Sequence, residues 1–316
     1  MKVYTVDNRE ESLFDGRLKL NNTAVALGGF DAIHMGHKTV ISTAVEYAKK
    51  NNLTSVVYMF KNQPRSVLTE TAEADVNSFE KRLEILEDLG VDIVVAEWFL
   101  PKYREITAED FVKEHLRNYL DAKFVVAGFN YRFGKGGQGD VNTLCELGEK
   151  YEIAVRVMPE VDLENERISS SGIREYIKNG EMEKARERLG RGYSVKGKVF
   201  KGNQLGRTID FPTVNLSIPE NVVVPKYGVY ITKTKVSGEE YPSITNVGEK
   251  PTVESGTPCI ESHIIGFSGD LYESDIEIEF YSFHREITKF EGLNALKKQL
   301  DMDKEKAVEY FNKNVE

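Results

Sequence analysis

The sequence predicts two domains of different class: an α/β domain with a Rossmann-like parallel sheet, then a small antiparallel β-barrel with terminal helices. Three observations predict this division. The first half alternates nearly continuous apolar runs with helical patterns, while the second half has short strand patterns separated by Gly and Pro. The length of 316 residues suits two cores better than one. We place the boundary after Gly190, giving domains of 1–190 and 191–316.

Five apolar runs in the first half are rich in Val, Ala and Ile, and they cover 23–30, 53–60, 91–99, 123–129 and 151–158. Runs that do not alternate with polar residues are typical of strands buried on both faces of a parallel sheet. Helical patterns lie between them at 36–51, 78–89, 107–120 and 142–150, and Ser78 and Thr107 are suited to be N-caps. Two short helices, broken at Asn179-Gly180, are predicted to follow within 171–189.

Strand patterns of the second half often alternate with period two, and they cover 193–201, 228–236, 241–247, 260–267 and 275–283. Short strands punctuated by Gly and Pro predict an antiparallel barrel. The chain closes with helical patterns at 292–300 and 303–312, which predict two terminal helices.

The composition excludes several classes of protein. The chain has 42 Lys and Arg against 51 Asp and Glu, a formal net charge of −9, which gives no general affinity for nucleic acid. Cys145 and Cys259 form no CxxC motif and predict reduced thiols. We find neither the apolar run of a signal peptide nor the roughly 20 apolar residues of a membrane span. We therefore expect a cytoplasmic protein without a nucleic-acid or membrane partner, of open oligomeric state.

The segment GGFDAIHMGH follows the first predicted strand and opens the first helix. Gly28 allows a ligand to approach the backbone, and a helix N-terminus offers free N–H groups to phosphate. His34 and His37 lie three residues apart and can share one helix face, where they could stabilise charge on phosphate oxygens. A metal pair or two structural histidines are the alternatives, but no third ligand is evident nearby.

Two more segments of the first half carry groups for a nucleotide or a flat heterocycle. GFNYRFGKGGQGD combines Asn130 and Arg132 with a Gly-rich loop; the alternative is a simple flexible loop. ISSSGIR places Ser170 and Ser171 at a helix start with Arg174 one turn in, which suits an anion, although an ordinary N-cap explains it equally well.

The second half has its own cluster in GNQLGRTIDFPTVNL. Gly202, Gly206 and Arg207 form a flexible basic loop after a strand. Thr213 and Asn215, two residues apart on an extended segment, point to the same side and offer oxygen ligands that suit Mg²⁺. A turn with polar side chains is the alternative interpretation.

These motifs resemble those of the bacterial bifunctional riboflavin kinase/FAD synthetases. HMGH resembles the (H/T)xGH motif of nucleotidyltransferases, and MFKNQP, GFNYRFGKGGQGD and ISSSGIR fit the same family. The resemblance implies that FMN attacks the α-phosphate of ATP, with Mg²⁺ on the triphosphate. It implies catalytic roles for His34 and His37. It also assigns nucleotide contacts to Gly28, Phe30, Ser170, Ser171 and Arg174, and flavin contacts to Asn130 and Arg132.

PTVN in the second half resembles the PTAN motif of riboflavin kinases, and NVGEKPTV, ESHIIGF and GDLYESDIEIEF extend the match. The resemblance implies that Glu261 is the general base for the riboflavin hydroxyl and that Thr213 and Asn215 hold Mg²⁺. It also implies nucleotide contacts from Gly202, Gly206 and Arg207 and a flavin or nucleotide contact from Arg285. His263 is interpreted as structural or peripheral.

The chain departs from the family's usual residues at four positions, Ala32, Gln63, Asp210 and Glu273, where the family usually has Gly, His, Gly and Gly. The leading hypothesis is a bifunctional enzyme that makes FMN from riboflavin and ATP, and FAD from FMN and ATP. One alternative is a riboflavin kinase with a weak or silent adenylyltransferase domain. Another is a flavin-binding regulator without turnover.

Overall fold

The computed structural model describes residues 1–6, 12–14, 18–62, 73–100, 103, 105–202, 206, 209–249 and 258–313. The chain divides into two compact units, Met1–Ser170 and Ser171–Glu316. The predicted domain boundary at 190/191 stays a prediction. Within the described ranges, every helix is too short or too polar to cross a membrane, and the expected cytoplasmic location also stays a prediction.

The first unit is built on a parallel sheet of six strands, as its apolar runs predict. The strands are β1 (Lys2–Thr5), β2 (Thr23–Leu27), β3 (Thr54–Phe60), β4 (Ile93–Glu97), β5 (Ala122–Gly128) and β6 (Ala154–Met158). Their order is β1-β4-β3-β2-β5-β6, and every pair is parallel. β1 was not predicted from the sequence, because this partly exposed edge strand pairs on one side only and has no continuous apolar run.

Helices cover both faces of the sheet. They are α1 (Met35–Asn51), α2 (Phe79–Asp88), α3 (Ala108–Asp110, continued by the π-helix Phe111–Tyr119) and α4 (Val141–Lys150). α1 and α2 pack on one face and α3 and α4 on the other, which gives two apolar clusters. Ser78 and Thr107 accept backbone hydrogen bonds at the starts of α2 and α3 and are confirmed as N-caps.

The strand order fixes where a ligand is expected. The chain runs from the central β2 through β3 toward one edge and later through β5 toward the other. In such sheets, ligands bind beyond the carboxyl ends of the strands on either side of this reversal. Here those ends are Leu27 and Gly128. A short hairpin of β7 (Asp162–Leu163) and β8 (Glu166–Arg167) follows the sheet, and α5 (Ser170–Asn179) and α6 (Met182–Leu189) come next.

The second unit contains a nearly closed antiparallel barrel. Its strands are β9 (Tyr193–Lys198), β10 (Val214–Ser217), β11 (Gly228–Val236), β12 (Glu239–Glu249), β13 (Pro258–Ile264) and β14 (Asp275–Arg285). Their order is β10-β13-β12-β11-β14-β9, and a bridge between Phe200 and Asn215 joins the two ends. Side chains alternate between the two faces of each strand. Thr232, Ser243 and Thr245 therefore form a buried hydroxyl network, while Ile244 and Asn246 line a cavity.

The expectation of two terminal helices is wrong. One continuous helix, α7, runs from Leu293 to Lys313. The segment between the two predicted helices contains neither Gly nor Pro, so no residue interrupts the backbone there. Asp303, expected near the start of a second helix, is instead fully buried within α7 and bonded to Arg285.

Candidate active sites

The loop between β2 and α1 has a constrained backbone. Phe30 and Ile33 both adopt positive φ, 45° and 44°, a region that bulky side chains rarely occupy. Buried Asp31 holds the loop, because its carboxylate accepts the Val76 N–H at 2.7 Å and its carbonyl accepts a bond from Asn77 at 2.7 Å. A side chain at Gly28 would collide with the Phe30 ring.

Ala32, one of the departures from the family's usual residues, fits this loop. It is fully buried, and it is not among the residues with positive φ. The backbone at this position therefore does not require glycine, and the Ala methyl group packs into the core instead.

The loop brings the two predicted catalytic histidines into contact. His34 is the N-cap of α1, and its Nδ1 accepts the backbone N–H of His37 at 3.3 Å. The two rings stack with their centroids 3.7 Å apart. Because Nδ1 of His34 accepts a hydrogen bond, the neutral ring carries its proton on Nε2 and can donate from there.

The environment keeps His37 uncharged. Burial, followed by the neighbouring His34, lowers the pKa of His37 well below its usual value. Its Nδ1 is buried without a hydrogen-bond partner among the described residues. His37 is therefore suited to donate a hydrogen bond from a neutral imidazole.

A cavity of about 510 Å³ opens beyond the carboxyl ends of β2 and β5, a size suited to a small-molecule ligand. It brings together seven of the residues predicted from the sequence: Gly28, Phe30, His34, His37, Asn130, Arg132 and Ser170. Ser171 and Arg174 follow on α5 but belong to the second compact unit. Gln63 and Arg207 lie outside the described residues.

Sequence reasoning missed one side of this cavity. We call it the aromatic wall, and its members are Tyr58, Phe60, Phe99, Tyr103, Phe111 and Phe133. Neighbouring rings contact one another, as with Phe60 and Phe99, whose centroids are 5.1 Å apart. The rings come from distant parts of the chain, so the sequence hinted at the wall only through the MF of MFKNQP, at the end of β3, and the aromatic residues of GFNYRFGKGGQGD.

The loop after β5 is ordered by its own backbone. Phe133 and Gly139 exchange two N–H···O bonds of 3.0 Å, which close a short turn. Gly134 has a φ of 73°, and a Cβ there would lie 2.7 Å from the backbone nitrogen of Ala108. The alternative interpretation from the sequence is a simple flexible loop. In the structure the segment instead forms this tight turn, and Asn130 before it lies beside the cavity.

In the second unit, Thr213 and Glu261 are in direct contact. The Thr213 hydroxyl donates to Oε1 of Glu261 at 2.7 Å. Asn215 lies opposite Glu261 in the pairing of β10 with β13. The three predicted residues therefore meet at one place on the barrel, with Glu261 exposed to solvent.

Two cavities adjoin at this place. One of about 280 Å³ is lined by Thr213, Glu261, Asn246, Arg285 and apolar residues that include Leu293, Leu296 and Leu300 of α7. The other, of about 340 Å³, is lined by Thr213, Pro212 and the segment Phe267–Tyr272. Since Thr213 lines both, two ligands can approach the Thr213–Glu261 pair from different sides. Asn246 was not predicted, because a lone amide on a strand carries no spacing signal.

Two predicted glycines allow close packing beside this pair. A Cβ on Gly202 would lie 2.5 Å from Nδ2 of Asn215, so only glycine lets the Asn215 side chain lie there. Gly206 lines the smaller cavity, and its carbonyl accepts the Phe211 N–H at 2.8 Å. His263 donates from Nδ1 to the carbonyl of Pro212 at 2.8 Å, which supports its structural interpretation, and burial lowers its pKa.

Arg285 is held at the smaller cavity by a buried carboxylate. Its Nε and Nη2 donate to Asp303, with the shortest bond 2.7 Å long. His284 and Gln299 contact the same carboxylate. Burial alone would raise the pKa of Asp303, but the bonds from His284, Arg285 and Gln299 outweigh it and hold the pKa far below its usual value.

The two remaining departures share one backbone property. Asp210 and Glu273 have φ values of 61° and 62°, in the left-handed region that glycine adopts without strain. Both side chains extend into solvent, where Asp210 pairs with Lys297 at 2.9 Å and Glu273 lies 4.0 Å from Lys198. The structure thus explains why glycine is the usual residue there.

The first unit has a parallel α/β sheet with a histidine pair at a helix start. The same chain carries a barrel with a Thr–Glu pair where two cavities adjoin. Together these features define a two-domain transferase. The FAD synthetase family model matches residues 17–172, and the riboflavin kinase model matches 189–311. The chain belongs to the bifunctional riboflavin kinase/FMN adenylyltransferase family. It phosphorylates riboflavin to FMN and adenylylates FMN to FAD, with ATP as the nucleotide co-substrate.

Relatives of that name match nearly the whole chain. The enzyme of Bacillus subtilis is 33% identical over 92% of this chain and 93% of its own length. That of Haemophilus influenzae is 34% identical, covering 93% and 96%. A solved structure of a protein named as a macrolide-efflux protein from Streptococcus pneumoniae is 27% identical with a TM-score of 0.85, covering 96% and 98%. The transport function suggested by that name is not assigned to the present chain.

Proposed function

We propose that the cavity of the first unit is the adenylyltransferase site. Its histidine pair lies at a helix start, where free N–H groups and neutral imidazoles can bind the phosphates of ATP. The aromatic wall on the other side suits the flat ring system of FMN. FMN would then attack the α-phosphate while pyrophosphate leaves, a step that needs alignment and charge stabilisation rather than a covalent nucleophile.

His34 and His37 are proposed to stabilise the charge that develops on the phosphate oxygens, with Gly28, Phe30 and Ser170 beside them. Asn130 and Arg132 are proposed to hold FMN from the loop after β5. Arg132 suits this because its side chain is largely exposed, 3.7 Å from Asp140. Ser171 and Arg174, in the second unit, keep the roles implied by the resemblance as predictions.

The barrel is proposed to hold the riboflavin kinase site at the Thr213–Glu261 pair. The observation that carries this proposal is the 2.7 Å bond between Thr213 and Glu261, at a place where two cavities adjoin. We assign riboflavin to the cavity lined by the leucines of α7 and ATP to the one lined by Phe267–Tyr272. Gly206, predicted as a nucleotide contact, lines the cavity assigned to riboflavin instead. Glu261 would accept the proton of the riboflavin hydroxyl as the γ-phosphate transfers.

Mg²⁺ is proposed to be held by Thr213 and Asn215. A hydroxyl and an amide oxygen are hard ligands, and Mg²⁺ takes few protein ligands because it keeps water and binds substrate phosphates. Thr213 donates its proton to Glu261, so its oxygen lone pairs stay available. A bound Mg²⁺ would supply charge neutralisation at the transferring phosphate.

The test of the metal assignment is the Mg²⁺ dependence of FMN formation. Thr213→Val and Asn215→Leu should each raise the Mg²⁺ concentration needed for half-maximal rate by about tenfold or more. Thr234, which is buried inside the barrel, provides the control variant Thr234→Val. If the two site variants keep the wild-type Mg²⁺ dependence, the assignment is wrong.

The silent-adenylyltransferase alternative is less well supported. Ala32 and Gln63 motivate it; Gln63 lies outside the described residues, whereas Ala32 fits the loop without a positive φ, and both histidines are stacked at the cavity. Supplying purified protein with riboflavin, ATP and Mg²⁺ and separating the flavins over time decides between the two. FMN that accumulates without FAD would favour the alternative.

A further inference from the structure

Tyr58 has a buried hydroxyl that nothing in the described structure satisfies. Its side chain lines the cavity of the first unit and is only 3% exposed. The hydroxyl oxygen has no hydrogen-bond partner among the described residues. Leaving a buried polar group without a partner is unfavourable, so an unpartnered hydroxyl in a residue that lines a cavity suggests a missing ligand atom.

Its neighbour Tyr103 shows the contrast within the same aromatic wall. The Tyr103 hydroxyl donates to Oε2 of Glu97 at 2.7 Å, and Oε1 of Glu97 accepts the backbone N–H of Leu13 at 2.6 Å. Tyr103 therefore has a structural partner within the protein, whereas Tyr58 does not.

Tyr58 can act only as a protonated phenol. Burial, with the neighbouring Tyr103, Glu97 and Tyr131, raises its pKa well above the usual value. The hydroxyl thus keeps its proton and needs an acceptor. Its ring packs against Phe14, Phe60 and Phe111, with the centroids 5.8 Å away in each case.

We propose that Tyr58 is a specificity residue for FMN, donating a hydrogen bond to a carbonyl oxygen on the polar edge of the flavin ring. This inference rests on the proposed adenylyltransferase site. One edge of the ring system carries two carbonyl groups, whereas the opposite edge carries two methyl groups. The methyl edge offers no acceptor for the hydroxyl, so the flavin enters with its carbonyl edge toward Tyr58 and its methyl groups elsewhere.

The test compares Tyr58→Phe with wild type in FAD formation from FMN. Removing one neutral hydrogen bond should raise the KM for FMN about five- to tenfold, with the KM for ATP and riboflavin phosphorylation unchanged. Tyr47→Phe is the matched control, since Tyr47 stacks on Phe124 in the cluster that packs α1 on the sheet.

Flavin analogues identify which carbonyl oxygen accepts the hydrogen bond from Tyr58. 2-Thio-FMN and 4-thio-FMN each replace one carbonyl by a weaker acceptor, so wild type should disfavour one of them, and Tyr58→Phe should lose that discrimination. An unchanged KM for FMN in Tyr58→Phe, an unchanged discrimination, or an effect on the KM for ATP instead would overturn the proposal.

A measurement on wild type covers the case in which Tyr58→Phe fails to fold. Infrared difference spectra with carbonyl-labelled FMN should show one C=O stretch shifted to lower frequency on binding, and two unshifted bands would overturn the proposal. Failure of the underlying site is recognised separately, because His37→Ala would then leave FAD formation intact whatever Tyr58 does.

Discussion

The two sites of this chain position their reactive groups in different ways. In the first unit, a constrained backbone loop and a helix start position His34 and His37, and their two rings then stack on each other. In the barrel, Glu261 is exposed on a strand and is fixed by one side-chain bond from Thr213. The comparison teaches that the first proposed site is set largely by main-chain conformation, whereas the second depends on side chains that meet when β10 pairs with β13.

The largest effect is expected from removal of the proposed base. Glu261→Gln should lower the rate of riboflavin phosphorylation about a thousandfold, because an amide cannot accept the hydroxyl proton. FAD formation from added FMN should be unchanged. The rates are measured by chromatographic separation of riboflavin, FMN and FAD, with Glu239→Gln, at the exposed start of β12, as control. Phosphorylation at the wild-type rate would remove Glu261 from this role.

His37→Ala tests the first site, and it should lower FAD formation instead of FMN formation. Loss of one donor to the transferring phosphate should cut FAD formation about a hundredfold, while FMN formation continues. The same chromatographic assay reports both activities. Lys49→Ala, exposed in the last turn of the same helix, is the control. A parallel loss of both activities would show that the sites do not act independently.

Asp303→Asn tests how the barrel holds its side chains. It leaves Arg285 without its carboxylate, so we expect a loss of about 2 kcal/mol in the free energy of unfolding, below the range for fully buried pairs because Arg285 is partly exposed. Denaturant unfolding measures it, with exposed Asp301→Asn as control. A loss no larger than that of Asp301→Asn would mean that this ion pair contributes little.

The same carboxylate predicts a pH dependence. Its pKa is depressed in the folded state, so its contribution is complete above the unfolded value of about 3.9 and is lost as the pH falls below it. Unfolding curves of wild type and Asp303→Asn should therefore converge at acid pH. Curves that stay equally separated down to pH 3 would contradict this.

The smallest expected effect is on the free energy of unfolding, and it arises from backbone strain at Glu273. Glu273→Gly should raise the free energy of unfolding by about 1 kcal/mol, because φ is 62° at this position and glycine adopts it without steric cost. Glu273→Ala is the matched control, since it also removes the side chain near Lys198 but keeps the strain. Equal stability of the Gly and Ala variants would show that the strain is negligible.

Much of the fold could be predicted because its signals are local. Continuous apolar runs report a parallel sheet, and HMGH lies where a strand meets a helix. The aromatic wall and the place of Asp303 could not be predicted, since they depend on residues far apart in sequence. From the sequence alone, Asp303 is expected to be a solvent-facing helix residue. The structure shows that it bonds Arg285 on the preceding strand.

Helix α7 supplies a wall of the second cavity through Leu293, Leu296 and Leu300, and its Asp303 holds Arg285. A ribosome adds these residues later than the described lining of the first cavity, which extends no further along the chain than Ser170. Because domains fold as they emerge during synthesis, the first cavity can form while the second still lacks a wall. Under the proposed assignment, a growing chain thus acquires its two activities in the reverse of the order in which a flavin molecule uses them.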